Sequence, residues 1–464
     1  MNFKKNIFFI IFIGLLISST TSFLNLNKYD QIDGQPHGMV NGDIKDNFVD
    51  AEKLKRDLYN GKNYFNSGNV YTRTYLPSRI LAFYSHITQN ELFENFENTK
   101  VKKGGGKLSY LIFQSLFYYL ALFFFHKKIL DFYNYNYSKC FFITSFLAIE
   151  PTIIQWHSSF WTESTFTALQ LITLGLIIHK TNNKFFGFII GIFVGLMYLQ
   201  KTVAMFFIFP VIFYFIITKK GYRIASIASL IFGYLTILFI LGYDNFKKTD
   251  IFYIVPNQSF EAHYIYLVPQ VLSQKNDISE LEARKWVEQQ EKNWIEKNKI
   301  DLKKFEDNRK WHKYQQRFAL NVFLNNKIIT AKIYIKLTIH HTLLNPVQAY
   351  YYHKYNHNVF NEEYHTSLEH DGWVWKRVLY SLIIYFFILI GIFYSFKKRE
   401  YRNFNYFIIL SIFYYMLMLG WVGNTRYFMP SLTLLSIFFG EGMSLIFANK
   451  KTKLINNNEH KKIR

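Results

Sequence analysis

The chain has 464 residues, half of them hydrophobic and one in five aromatic, yet its mean hydropathy is only +0.01. The average hides long Phe, Ile and Leu runs that alternate with Lys-rich stretches. Apolar runs of about 18 residues or more mark membrane spans, which excludes a soluble enzyme, a fibrous chain and a disordered one. Lys and Arg number 54 against 32 Asp and Glu, a net charge of +22; because these cations crowd the ends of apolar runs, they fit one side of a membrane better than a nucleic-acid partner.

In chain order, Lys4 and Lys5 precede the apolar run Asn6–Leu24, whose short core and small residues at 18–22 resemble a signal peptide. It is read as an uncleaved first span because many spans follow. A first loop covers 25–106, and within it the segment from Tyr75 to Asn90 is moderately apolar but holds Pro77 and Arg79. That mixture predicts a helix at the outer interface. Further spans are predicted at 107–125, 138–155, 162–179, 185–200, 202–217 and 223–241, then at 377–396, 403–421 and 427–447. The fold class is therefore all-α and polytopic, with ten spans. Its three parts are an N-terminal membrane module (1–242), an outside helical loop domain (243–375), and C-terminal spans with a basic tail (376–464).

The second loop contains a helical pattern that starts near a Ser cap around Ile278. Phe318–Leu344 is long and apolar, but Lys327, Lys332 and Lys336 interrupt it. One such charge at the bilayer centre costs roughly 2.5–3.5 kcal/mol, so the segment reads as an interfacial amphipathic helix. The loop's histidines, among them His340 and His341, follow no HExxH or similar ligand pattern, so no metal is assigned to them. The lone Cys140 excludes an intramolecular disulfide framework.

Orientation follows from the lysines. With a cytoplasmic N-terminus, the inside connections carry Lys127/Lys128, Lys180/Lys184, Lys219/Lys220/Arg223 and Lys397/Lys398/Arg399, and the basic tail from Lys450 to Arg464 is also inside. Lys102, Lys103 and Lys107 are the exception, in the long first loop where the rule is weak. Both termini are then cytoplasmic and both long loops outside. Polar residues of separate segments meet at one depth, the outer surface: Asp43, Asp46 and Asp50, Arg73, Glu150, His157, Glu163, Lys201 and Arg426. The span middles are nearly free of ionisable groups, unlike those of an ion-coupled transporter. This pattern suits a surface site reached by a lipid-borne substrate from the bilayer and by a second substrate from outside.

The local sequence at these positions resembles the GT-C superfamily of membrane glycosyltransferases, in particular the branch of protein mannosyltransferases and lipopolysaccharide-core sugar transferases. The similar stretches are the Asp-bearing segment from Gly42 to Leu54 closed by Gly61, Arg73, Tyr75 and Pro77 in YTRTYLP, Pro151 followed by WTES at 161–164, GLMYLQK at 195–201, and RYFMP at 426–430. Two departures stand out: Asn47 sits where the family has an aromatic, and the helix to Gly61 is about a turn longer than the family's.

The resemblance implies transfer of a sugar, with inversion, from a polyprenyl-phosphate donor to a lipid, glycan or protein acceptor. The site would face the periplasm of a bacterial inner membrane. No nucleic acid takes part, and no cofactor is implied. Such transfer needs a base for the acceptor hydroxyl and cations for the leaving phosphate. The catalytic candidates are Asp43 or Asp46 as base and Glu163 to position the acceptor or a divalent metal. Arg73, Tyr75, His157, Lys201 and Arg426 are the substrate-binding candidates. The plainer readings are a helix N-terminus that favours the two aspartates and long cations that snorkel to lipid headgroups. A flippase for lipid-linked glycans, a polymerase or ligase using diphosphate-linked glycan, and a non-catalytic scaffold are the rival functions.

Overall fold

The computed structural model describes residues 3–29, 43–67, 75–88, 106–157, 160, 162–179, 185–218, 223–255, 263–302, 304–343, 373–419 and 428–462. Among them every regular element is helical. In order these are α1 (Phe3–Tyr29), α2 (Asp43–Tyr59), α3 (Leu76–Thr88), α4 (Gly106–Phe132), α5 (Tyr137–Ile149), α6 (Pro151–His157), α7 (Glu163–Ile178), α8 (Phe186–Gln200), α9 (Ile208–Thr218) and α10 (Arg223–Thr249). There follow α11 (Val268–Asn276), α12 (Glu280–Lys297), α13 (Phe305–Asn325), α14 (Lys327–Leu343), α15 (Trp373–Lys397), α16 (Arg402–Leu419) and α17 (Met429–Lys462).

Among the described residues, five stretches are long and apolar enough to cross a membrane: Asn6–Leu24, Leu108–Phe132, Ile224–Thr249, Val378–Lys397 and Met429–Phe447. Shorter apolar helices lie beside them, and the chain is a multi-pass membrane protein. Their outward side chains are apolar too, as lipid contact requires: Phe12, Leu120, Phe232, Phe239, Leu389 and Phe413 are each more than half exposed.

Among the described residues glycines bring several helix pairs backbone to backbone, two of them at more than one glycine. In α8, Gly187, Gly191 and Gly195 recur every fourth residue and face Ser226, Leu230 and Ile237 of α10. A Cβ on Gly191 would come within 2.1 Å of the Leu230 carbonyl oxygen, and one on Gly233 within 2.2 Å of the Phe188 carbonyl oxygen. Small residues permit this approach where lipid supplies no hydrophobic drive. Contacts advance in the same direction along both helices, so α8 and α10 run parallel with α9 between them in sequence. The second pair, α15 and α17, meets at Gly391 and Gly442.

Two helices depart from the expected segments. The predicted span 138–155 is interrupted: α5 ends at Ile149, and Glu150 caps the short α6, accepting from the Thr152 hydroxyl (3.0 Å) and the Ile153 N–H (2.9 Å). Pro151 at the first helical position suits this restart. The apolar stretch 318–344 is likewise divided, at Asn326, between α13 and α14. In the first loop, α2 buries Ala51 and Leu54 against α3, and Gly61 closes it at φ +77°, the left-handed turn that glycine takes without strain. The expected Ser cap is present at Ser279, where a reciprocal bond with Glu282 starts α12.

Outside the membrane bundle, Tyr264, Leu267, Val268 and Val271 join Ala283, Val287, Ala319, Phe323 and Ile333 in a second hydrophobic cluster. It unites α11 to α14. At one end of the bundle an ion cluster ties three segments: buried Glu441 of α17 pairs with buried Lys139 of α5 at 2.5 Å and with half-exposed Lys398 after α15 at 2.9 Å.

Candidate functional site

A second set of buried charges gathers at the opposite end from Glu441. At about 1.5 Å per residue, the 27 residues of α10 extend about 40 Å, beyond the about 30 Å hydrocarbon layer. Its last turns therefore carry Asp244 and Lys248 to headgroup depth, with Lys248 Nζ donating to Asp244 Oδ2 at 2.9 Å. Arg79 of α3 reaches the same carboxylate at 3.5 Å and also binds Asp50 of α2. Its guanidinium lies 4.0 Å above the ring of Tyr75, whose hydroxyl is 3.0 Å from that of Tyr64. The Asp244 side chain is fully buried, and those of Arg79 and Lys248 are nearly so.

Burial opposes the charge on Arg79, but Asp50, then the Tyr75 and Tyr64 hydroxyls and Asp244, outweigh it and hold the guanidinium more firmly protonated than usual. Burial pushes the Tyr75 phenol up, out of the range where it would ionise in water. Two carboxylates and two cations thus share one buried cluster with a net charge near zero.

The second part of the site follows directly. The Tyr75 N–H donates to the Leu199 carbonyl at 3.1 Å, tying the start of α3 to the end of α8. Two residues on, Lys201 caps α8 and donates to Glu163 Oε1 at 2.7 Å. Gln200 donates to the Thr162 carbonyl at 3.1 Å, and the Thr162 hydroxyl lies 3.4 Å from Glu163 Oε2. Glu163 opens α7, where the helix dipole favours a negative charge, and it is 1% exposed against 4% for Lys201. Behind this pair His157, at the end of α6, bonds Ser164 Oγ through Nδ1 at 2.7 Å. Burial pushes its imidazole down to about 3, so His157 is neutral.

Of the sequence candidates, Tyr75, His157, Glu163 and Lys201 therefore meet at one end of the bundle. Asp43 and Asp46 lie in the first turn of α2. Their spacing of seven and four from Asp50 puts all three positions on one helix face, though the side chains of Asp43 and Asp46 lie outside the described residues. Arg73 and Arg426 lie outside them as well. Sequence reading missed Asp244 and Lys248 and treated Arg79 as an interfacial charge. The available signal was an acid and a base four residues apart just past an apolar run. Among the described residues, no three His, Cys, Asp or Glu side chains gather as a metal site would require.

Beside Lys248, a half-open cavity of about 370 Å³ separates the end of α10 from the start of α13. Asp250, Lys304, Glu306 and Asp307 line it with Phe305, whose ring stacks on Tyr253 at 5.8 Å. It lies at the lower end of the 300–1,000 Å³ typical of small-molecule sites.

The helical fold is similar to that of a solved archaeal membrane enzyme. The apo oligosaccharyltransferase of Archaeoglobus fulgidus is similar at TM-score 0.51 and 14% identity, over 99% of this chain and 52% of that one. Archaeal oligosaccharyltransferase from the same organism, in complex with an inhibitory peptide and a dolichol-phosphate, is similar at TM-score 0.49 and 13% identity, over 99% and 52%. The enzyme tethered to an acceptor peptide containing the NVT sequon is similar at TM-score 0.48 and 13% identity, over 96% and 50%. The chain thus spans about half the length of these proteins, and at such identity the likeness is one of fold. No family model and no curated protein matches it.

Proposed function

We propose that the protein is an integral-membrane glycosyltransferase that moves a sugar from a polyprenyl-phosphate carrier to a lipid, glycan or protein acceptor. The observation that carries this reading is the meeting of Arg79, Lys201 and Lys248 with Asp50, Glu163 and Asp244 at one end of a GT-C-type bundle. In the proposed topology all ten predicted spans cross an inner membrane, both termini are cytoplasmic, and the charged end is periplasmic. The parallel course of α8 and α10, with α9 as the return, supports that alternation.

In the proposed reaction the donor phosphate takes up a cation that a carboxylate holds in the free protein. Asp43 or Asp46 accepts the proton of the acceptor hydroxyl. The acceptor oxygen forms its bond to the anomeric carbon as the bond from that carbon to the phosphate oxygen breaks, and the phosphate leaves with the electron pair. Lys201, Arg73 and Arg426 are the cations proposed to stabilise it, with Tyr75 and His157 shaping the pocket. The cavity beside Lys248 is the proposed acceptor entrance, and Glu163 positions the acceptor or a divalent ion.

A second reading is transfer of an assembled glycan from a lipid diphosphate; the fold likeness to an oligosaccharyltransferase favours an assembled glycan as the transferred group. One experiment separates the two. Membranes carrying the intact protein, Asp43→Asn, Asp46→Asn or Glu163→Gln at equal expression are given radiolabelled polyprenyl-monophosphate sugars or diphosphate-linked glycans, with and without EDTA. Transfer from a monophosphate sugar, lost in one aspartate variant, is the expected result and identifies the base. Transfer from the diphosphate donor alone moves the assignment to the second reading, and transfer indifferent to all three substitutions sinks the site.

A further inference from the structure

Helix α14 carries two apolar stripes. Ile329, Ile333 and Leu337 turn inward to the cluster shared with α11 and α13. On the other side Ile328, Ile335 and Ile339, spaced by seven and four, are 74%, 57% and 53% exposed. Three isoleucines in line on an outer face are unusual for a surface that meets only water. Lys332 and Lys336 lie along one edge of that stripe and Lys327 along the other, all exposed. A stripe of branched apolar side chains between lysines is the arrangement in which the hydrocarbon enters lipid while the ammonium groups snorkel to phosphate.

The surroundings point to the same occupant. The Tyr334 hydroxyl donates to the Leu417 carbonyl near the end of α16. On α16 itself Phe413 and Leu417 are 58% and 42% exposed, so the outward stripe continues an apolar bundle surface at the depth where that helix ends. We infer that α14 lies in the headgroup layer, with Ile328, Ile335 and Ile339 in lipid and Lys327, Lys332 and Lys336 on anionic headgroups, and thereby seats the α11–α14 module on the bilayer. The inference rests on the multi-pass membrane reading and is independent of the transfer chemistry.

The test uses the full chain in lipid nanodiscs, in a Cys140→Ser background, with an environment-sensitive fluorophore on Ile335→Cys or on Gln289→Cys, an exposed position of α12. The expected result is a blue-shifted label at 335 that brominated acyl chains quench and iodide does not, with the reverse at 289. In phosphatidylglycerol discs, Lys332→Glu with Lys336→Glu should weaken bromolipid quenching at 335 severalfold, and in phosphatidylcholine discs it should not. A label at 335 quenched by iodide as at 289 overturns the inference. So does one shielded from both quenchers, which would mean that another protein surface covers the stripe. Quenching at 335 that charge reversal leaves unchanged in both lipids overturns the assignment to anionic headgroups.

Discussion

Arg79 is the residue on which the charged end depends, because two carboxylates converge on it from helices far apart in sequence. Removing one member of a buried ion pair strands the other, at a cost of about 3–5 kcal/mol. Arg79→Ala should therefore lower the thermal midpoint of the detergent-purified protein sharply, and Arg79→Lys, which keeps the charge without the two-pronged geometry, should recover part of it. The Glu163–Lys201 pair separates structure from chemistry. Glu163→Gln and Lys201→Met should each destabilise the protein, whereas the double variant should regain stability because no charge is left buried alone. If the pair serves transfer, the double variant stays inactive while it folds; regained transfer would assign the pair to packing. A third residue sets a pH window outside the membrane. Burial pushes His263 down to about 4, so below the ordinary value near 6.5 the unfolded chain binds a proton that the folded one refuses. Stability contributed by neutral His263 is complete above pH 6.5 and is lost as the pH falls toward 4. His263→Gln should flatten that part of a melting-temperature profile.

The elements themselves were largely legible. A helix lies at each apolar run because such runs leave the backbone no partner but itself. Gly61 and Ser279 ended and began their helices where turn and cap chemistry place them. The breaks at Glu150 and Asn326 were missed because the apolar content resumes after each, although Glu150–Pro151 at the first and Asn325, Asn326 and Lys327 at the second interrupt the runs. The charged end was legible as a shared depth and illegible as a set of partners: Arg79 and Asp244 stand 165 residues apart, and a single sequence fixes no such pairing. The glycines supply the element-scale prediction. Gly191→Leu should force α8 from α10 and cost at least about 1–3 kcal/mol, visible as lost folded protein by size-exclusion chromatography. Gly61→Ala meets open space and only the strain of φ +77°, about 1 kcal/mol, so it should purify normally with a slightly lower midpoint.

At the scale of the molecule, charge lies buried at both ends of an otherwise apolar bundle. The Lys139–Glu441–Lys398 cluster joins α5, α17 and the turn after α15, and Asp50, Arg79, Asp244 and Lys248 join α2, α3 and α10. Glycine contacts leave α8 and α10 little room to slide, so Lys201 at the end of one helix and Lys248 at the end of the other are ordered together as the chain folds. Any anion bound at this end meets cations whose rotational freedom is already gone. Each lysine that need not be immobilised at that moment spares about 0.5–1.5 kcal/mol of entropy, and association is correspondingly tighter than the same two charges would give on independent, mobile segments.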